Sequence, residues 1–124
     1  MIVKPGFLPV IATALLLSAC SPHPGTGVWQ ANAQNELGID KLIVSFNGRA
    51  EFSTTAPQPA RWHCFWAGID KQQIELDCKP STNPEDKQVF VLKATLAGQA
   101  QLMQQNKTLA TLTLLDEDPT LKDQ

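Results

Sequence analysis

Histidine and cysteine are scarce in this 124-residue chain, which has two of the first and three of the second. Metal clusters and catalytic triads need several such side chains converging on one point, so neither is expected, and no cofactor is called for. No glycine-rich phosphate loop is present. Basic residues do not outnumber acidic ones, at 10 Lys and Arg against 12 Asp and Glu, which leaves no electrostatic footprint for nucleic acid or anionic lipid. A long helical stripe is missing as well. The apolar run from Phe7 to Leu17 is roughly 11 residues, about 16 Å as a helix, against a hydrocarbon core of about 30 Å. A permanent transmembrane helix is therefore not expected.

What the N-terminus does contain is the three-part pattern of an export signal. Lys4 precedes the apolar run, and small residues close it before Cys20. The four residues Leu17-Ser18-Ala19-Cys20 resemble, at every position, the lipobox of bacterial lipoprotein signal peptides. The resemblance implies cleavage before Cys20, diacylation of its thiol and acylation of the new amine. Two or three acyl chains anchor a protein stably, where one binds only marginally. The next residue is Ser21 rather than aspartate. By the same resemblance this implies retention at the outer membrane of a diderm cell, with the domain facing the periplasm. The expected division is a signal peptide over 1–19, a lipidated cysteine and short Pro-rich spacer over 20–26, a β domain over 27–115 and a polar tail over 116–124. Loss of Lys4 with the signal makes the remaining chain one charge more negative than the full sequence. The spacer, with Pro22 and Pro24, is expected to run extended for about 18 Å, with His23 solvated.

From Gly27 onward apolar residues alternate with polar ones and turn residues recur every 8–12 positions. This predicts strands over 27–32, 41–46, 50–54, 61–67, 74–78, 88–96, 99–104 and 108–115. The fold class is all-β, a small antiparallel up-and-down barrel or sandwich. Trp29, Trp62, Trp66, Phe46, Phe52 and Phe90 are expected to fill much of its interior.

Register can be argued for three hairpins. Aligning the apolar faces Leu42/Val44/Phe46 and Ala50/Phe52 pairs 46 with 50 and 44 with 52, across a loop Asn47-Gly48-Arg49. The same frame returns fifty residues later as Leu92, Ala94, Leu96, Gly98, Ala100 and Leu102. Either an internal duplication or a shared geometric demand accounts for it. In the central hairpin, a loop centred on Lys71 pairs 64 with 78 and 66 with 76. If lipid consumes Cys20, the remaining Cys64 and Cys78 form an even pair in an oxidising compartment, and facing positions favour a disulfide. A redox-active dithiol would want a closer motif and a thiolate-stabilising charge.

Gly27-Val28-Trp29 resembles the Gly-x-Trp of the first lipocalin strand, which implies a carrier of a small apolar ligand as the alternative function. The favoured reading is a non-catalytic binding or accessory module for another envelope protein. In a meander, loops 33–40, 55–60 and 79–87 share the end away from the lipid and form one contact surface. The outward patch Phe65, Val89 and Val91 is the other. Asp116-Glu117-Asp118 lacks the spacing of a calcium loop and is expected to begin a solvated tail. Replacing Cys20 by Ala should move the protein from the membrane to the soluble envelope fraction; retention in the membrane would contradict the lipobox reading.

Overall fold

Strict alternation lets one sheet face turn inward and the other outward, and the chain uses that pattern to close on itself. A computed structural model describes residues 22–56, 58–95 and 98–121, so Cys20, the segment 1–19 and Leu96 lie outside the described residues. The strands are β1 (Gly27–Ala31), β2 (Lys41–Val44), β3 (Arg49–Thr54), β4 (Ala60–Gly68), β5 (Gln73–Pro80), β6 (Gln88–Ala94), β7 (Gln99–Gln104) and β8 (Lys107–Asp116). Each pairs antiparallel with the next, and β8 pairs with β1, so the sheet is a closed barrel rather than a sandwich. The inward residues form one cluster that includes Trp29, Leu42, Val44, Phe52, Ile74, Leu76, Phe90, Leu92 and Leu102. Leu42, Val44, Ile74, Leu76, Leu92 and Leu102 have no accessible surface at all. Residues lining a water-sized cavity would retain some, so this part of the interior is filled with side chains.

The central hairpin has the expected register, with Cys64 opposite Cys78 and Trp66 opposite Leu76. Its two cysteines are bridged, their Cα atoms 4.1 Å apart. The β2–β3 hairpin keeps its expected faces but is shifted by two residues. Val44 pairs with Ala50 and Leu42 with Phe52, and Ser45 N–H donates to the Arg49 carbonyl at 2.8 Å. The loop is thus Phe46-Asn47-Gly48. A three-residue loop of this kind ends in a left-handed residue, and Gly48, with φ of 84°, supplies it. An even shift leaves every side chain on its own face, but it moves Phe46 out of the strand. Phe46 is consequently 52% exposed at the turn instead of in the core. The β6–β7 hairpin repeats the arrangement: Ala94 faces Ala100, Thr95 N–H donates to the Gln99 carbonyl at 2.7 Å, and Gly98 has φ of 71°. In both, the glycine carbonyl accepts the next strand, from Trp66 N–H or Leu114 N–H, each at 2.8 Å.

Of the three indoles only Trp29 is fully buried. Trp62 and Trp66 point inward but are half-buried. Trp62 stacks on Phe52 with centroids 5.8 Å apart, and its Nε1–H donates to Thr54 Oγ1 at 3.1 Å. Trp66 donates to the Ser45 carbonyl at 2.7 Å. An indole carries a polar edge that needs a partner, which suits the ends of a barrel better than its dry middle.

Two stretches read as solvated are instead packed. Pro24 and Gly25 form a turn, Gly25 and Thr26 are buried, and the buried Trp29 Nε1–H donates to the Gly25 carbonyl at 2.9 Å. After Asp116 the described chain forms a 3-10 turn, Pro119–Leu121, with Pro119 fully buried. Loop 32–40 also folds inward: Ile39 is buried, Leu37 packs on the core, and the Asn35 amide group bonds Asn32 and Ile39. This loop covers its end of the barrel, whereas Ser81 to Lys87 are exposed throughout. The Cys64–Cys78 bridge closes a loop of sequence separation 14. Replacing both cysteines by alanine should lower the unfolding free energy by about 3 kcal/mol in urea titrations, the loop-closure value; an unchanged midpoint would contradict a structural role.

Candidate functional site

The middle of the interior is filled, while the outer wall presents side chains to solvent. Residues of one parity on β3, β4 and β5 face outward and line up across the strands. One row runs Arg49, Phe65, Asp77, Val89, and the next runs Glu51, His63, Lys79. All of these but Val89, together with Pro84 and Lys87 from the exposed loop, line a groove of about 740 Å³. Phe65 is the most exposed large apolar side chain of the wall, at 66%. The Arg49 guanidinium lies 5.7 Å from the centre of its ring, within cation–π range. Arg61 donates to Glu51 Oε1 at 2.9 Å at the edge of the same surface. Lys79 and Lys87 are exposed and, among the described residues, form no ion pair.

The three apolar residues singled out from sequence do face outward, but they do not form one continuous patch. Asp77 stands between Phe65 and Val89, and Val91 lies between Glu75 and Met103. Val89 is 48% exposed and Val91 is half-buried. The patch is therefore an apolar surface broken by carboxylates, and Phe65 belongs to the mixed groove rather than to Val91. His63 sits opposite Lys79, as the 64–78 register implies, and on its other side faces Glu51. The contributions of Arg49 and Lys87 were not recognised from sequence. Arg49 becomes visible only when the β2–β3 loop is placed correctly, and Lys87 when loop 81–87 is seen to lie alongside β5.

The wall is stiff where the groove is built. Phe65 follows Cys64, and Asp77 and Lys79 flank Cys78, so the disulfide joins the two strands that carry the groove's centre. A ring, two free ammonium groups and two carboxylates on a fixed surface suit a partner that offers apolar and charged groups together. No group of three His, Cys, Asp or Glu among the described residues is placed to hold a metal ion.

The opposite feature is the mouth where the chain enters and leaves. His23 spans it: its Nδ1 accepts the Gly25 N–H at 3.0 Å and its Nε2 meets the Asp70 carbonyl at 2.7 Å. Because Nδ1 accepts, the proton belongs on Nε2, which donates to that carbonyl. The ring also meets Trp66 edge-on, with centroids 6.1 Å apart. His23 is thus a clasp between the N-terminal segment and the β4–β5 turn, not a solvated spacer residue. The turn is fixed in its own right. Asp70 accepts Gln72 N–H and Gln73 N–H at 2.9 Å each and the Gln73 amide at 2.8 Å. These bonds, that from Gln72 foremost, hold its carboxyl below the ordinary 3.8. A depressed folded value means the stabilisation is complete above 3.8 and is lost as pH falls through the lower folded value. Carbon-13 NMR should place the Asp70 midpoint below 3.8, and Asp70→Asn should flatten the acid limb of the stability curve; a midpoint at or above 3.8 would contradict this turn geometry.

Comparison of the chain with protein-family models, with curated proteins and with solved structures finds no match.

Proposed function

We propose that this chain is an envelope lipoprotein whose barrel is a non-catalytic binding or accessory module for another envelope component. Cys20 carries the lipid, and the domain stands in the periplasm on the outer membrane. The lipobox residues support the anchor, and Ser21 supports the outer membrane as its site. The groove across β3, β4 and β5 supports the binding role. It presents Phe65 beside Arg49, Lys79 and Lys87 on two strands locked by a disulfide. An exposed aromatic ring on a rigid support loses little freedom on association, which makes it a good anchor for an interface. Val89 and Val91 extend the contact along β6, across the Asp77 and Glu75 carboxylates.

The alternative, a lipocalin-like carrier, requires space inside the barrel. The absence of accessible surface on Leu42, Leu76, Leu92 and Leu102 favours the outer-wall reading. Site-specific photo-crosslinkers test it in intact envelopes. A probe at Phe65 should give a discrete adduct with an envelope protein, a probe at Val89 a weaker one, and a probe at Thr111 on the far wall none. Equal adducts at Phe65 and Thr111, or none at Phe65, would contradict the groove as the contact surface.

A further inference from the structure

Large apolar side chains left in water on a small domain are informative when they gather at one place. Phe46, Ile69 and Leu115 are 52%, 52% and 55% exposed. All three lie at the same end of the barrel. Phe46 is in the β2–β3 turn, Ile69 follows β4, and Leu115 is near the end of β8. In an up-and-down barrel, the even-to-odd turns and both chain termini share one mouth. Leu115 has no strand partner, because β1 shifts register between Val28, opposite Asp116, and Trp29, opposite Leu114. It follows Leu114, which packs on the core, and so faces outward by alternation. Pro22, where the described chain begins, lines a cleft with Phe46 and Trp66.

We infer that this end of the barrel rests in the surface of the bilayer, with Phe46, Ile69 and Leu115 as its lipid-facing rim. The inference rests on Cys20 carrying the anchor. The length of free chain supports it. His23 is clasped to Asp70 and Gly25, so only three residue steps separate the acylated cysteine from a fixed point of the domain. Three steps reach at most about 10 Å. The headgroup layer on each side of the hydrocarbon core is itself roughly 5–8 Å thick. The domain therefore cannot hang clear of the membrane on an 18 Å leash; its tethered mouth is held against the headgroups. The occupant is set by apolar contact rather than by charge, since Arg49, Lys71 and Lys93 near this end are offset by Asp70, Asp116, Glu117 and Asp118. The Phe65 groove begins beside this rim, where Ser45 and Asn47 flank Phe46, and runs up the side wall to Pro84 and Lys87 at the other end, which this placement leaves open to a partner.

The test uses full-length protein purified from membranes and reconstituted into phosphatidylethanolamine–phosphatidylglycerol vesicles, with and without dibrominated acyl chains. Variants F46W, I69W and V89W each add one indole at an exposed position. The expected result is that brominated lipid quenches the added emission of F46W and I69W several-fold more than that of V89W. Mass spectrometry of the Cys20 peptide in the same sample reads the anchor. Protein without lipid there overturns the anchor, and this inference with it. Lipid-bearing protein in which F46W and I69W are quenched no more than V89W overturns the lipid-facing end alone.

Discussion

The β1–β8 ladder is the contact on which the other features depend. It joins the first strand to the last, so no strand of the meander is left as an edge with unpaired backbone groups. The junction is tight. A Cβ on Gly27, whose φ is 132°, would stand 2.7 Å from the Asp116 carbonyl oxygen, so only glycine lets the strands meet there. Trp29 then fills the interior beside this seam, with its nitrogen bonded to the Gly25 carbonyl. Closure at this seam also fixes both termini at one mouth. It buries Thr26 and Pro119.

The middle of this closed barrel is filled by aliphatic and aromatic side chains, and its mixed groove lies on the outer wall. The two surfaces it offers are of different kinds. The side wall is mixed, with an aromatic ring among cations and carboxylates, and the disulfide behind it keeps β4 and β5 in fixed register. The mouth that holds Pro22 and Pro119 carries the exposed side chains of Phe46, Ile69 and Leu115 at its rim. In the proposed arrangement one face serves the membrane and one a partner; the far end is capped where loop 32–40 packs Leu37 and Ile39 over the core.

Period-two patterning made the eight strands legible in the sequence, because inward and outward residues alternate with few exceptions along each of them. The Cys64–Cys78 hairpin was legible in full, since two apolar faces and a thiol pair imposed the same register. The β2–β3 hairpin was legible only in its faces. An even slip preserves them, and what decides between the two registers is the left-handed position taken by Gly48, a turn property rather than a pattern property. Residues 23–26 and 118–121 read as solvent-loving because prolines and acids dominate them. The burial of Gly25, Thr26 and Pro119 within them comes from the closed mouth, a tertiary fact with no local signal. Phe46, Ile69 and Leu115 are far apart in sequence, so their gathering at one end needed the topology. The groove was half legible: Phe65, His63 and Lys79 followed from register, while Arg49 and Lys87 waited on the loops.

The claim that the barrel is solid and acts through its outer surface is tested most directly by methyl NMR of the interior leucines during titration with a medium-chain fatty acid. Leu42, Leu76, Leu92 and Leu102 should keep their chemical shifts throughout. Saturable shifts of these methyls, with slow or intermediate exchange, would place a ligand inside the barrel and contradict the account.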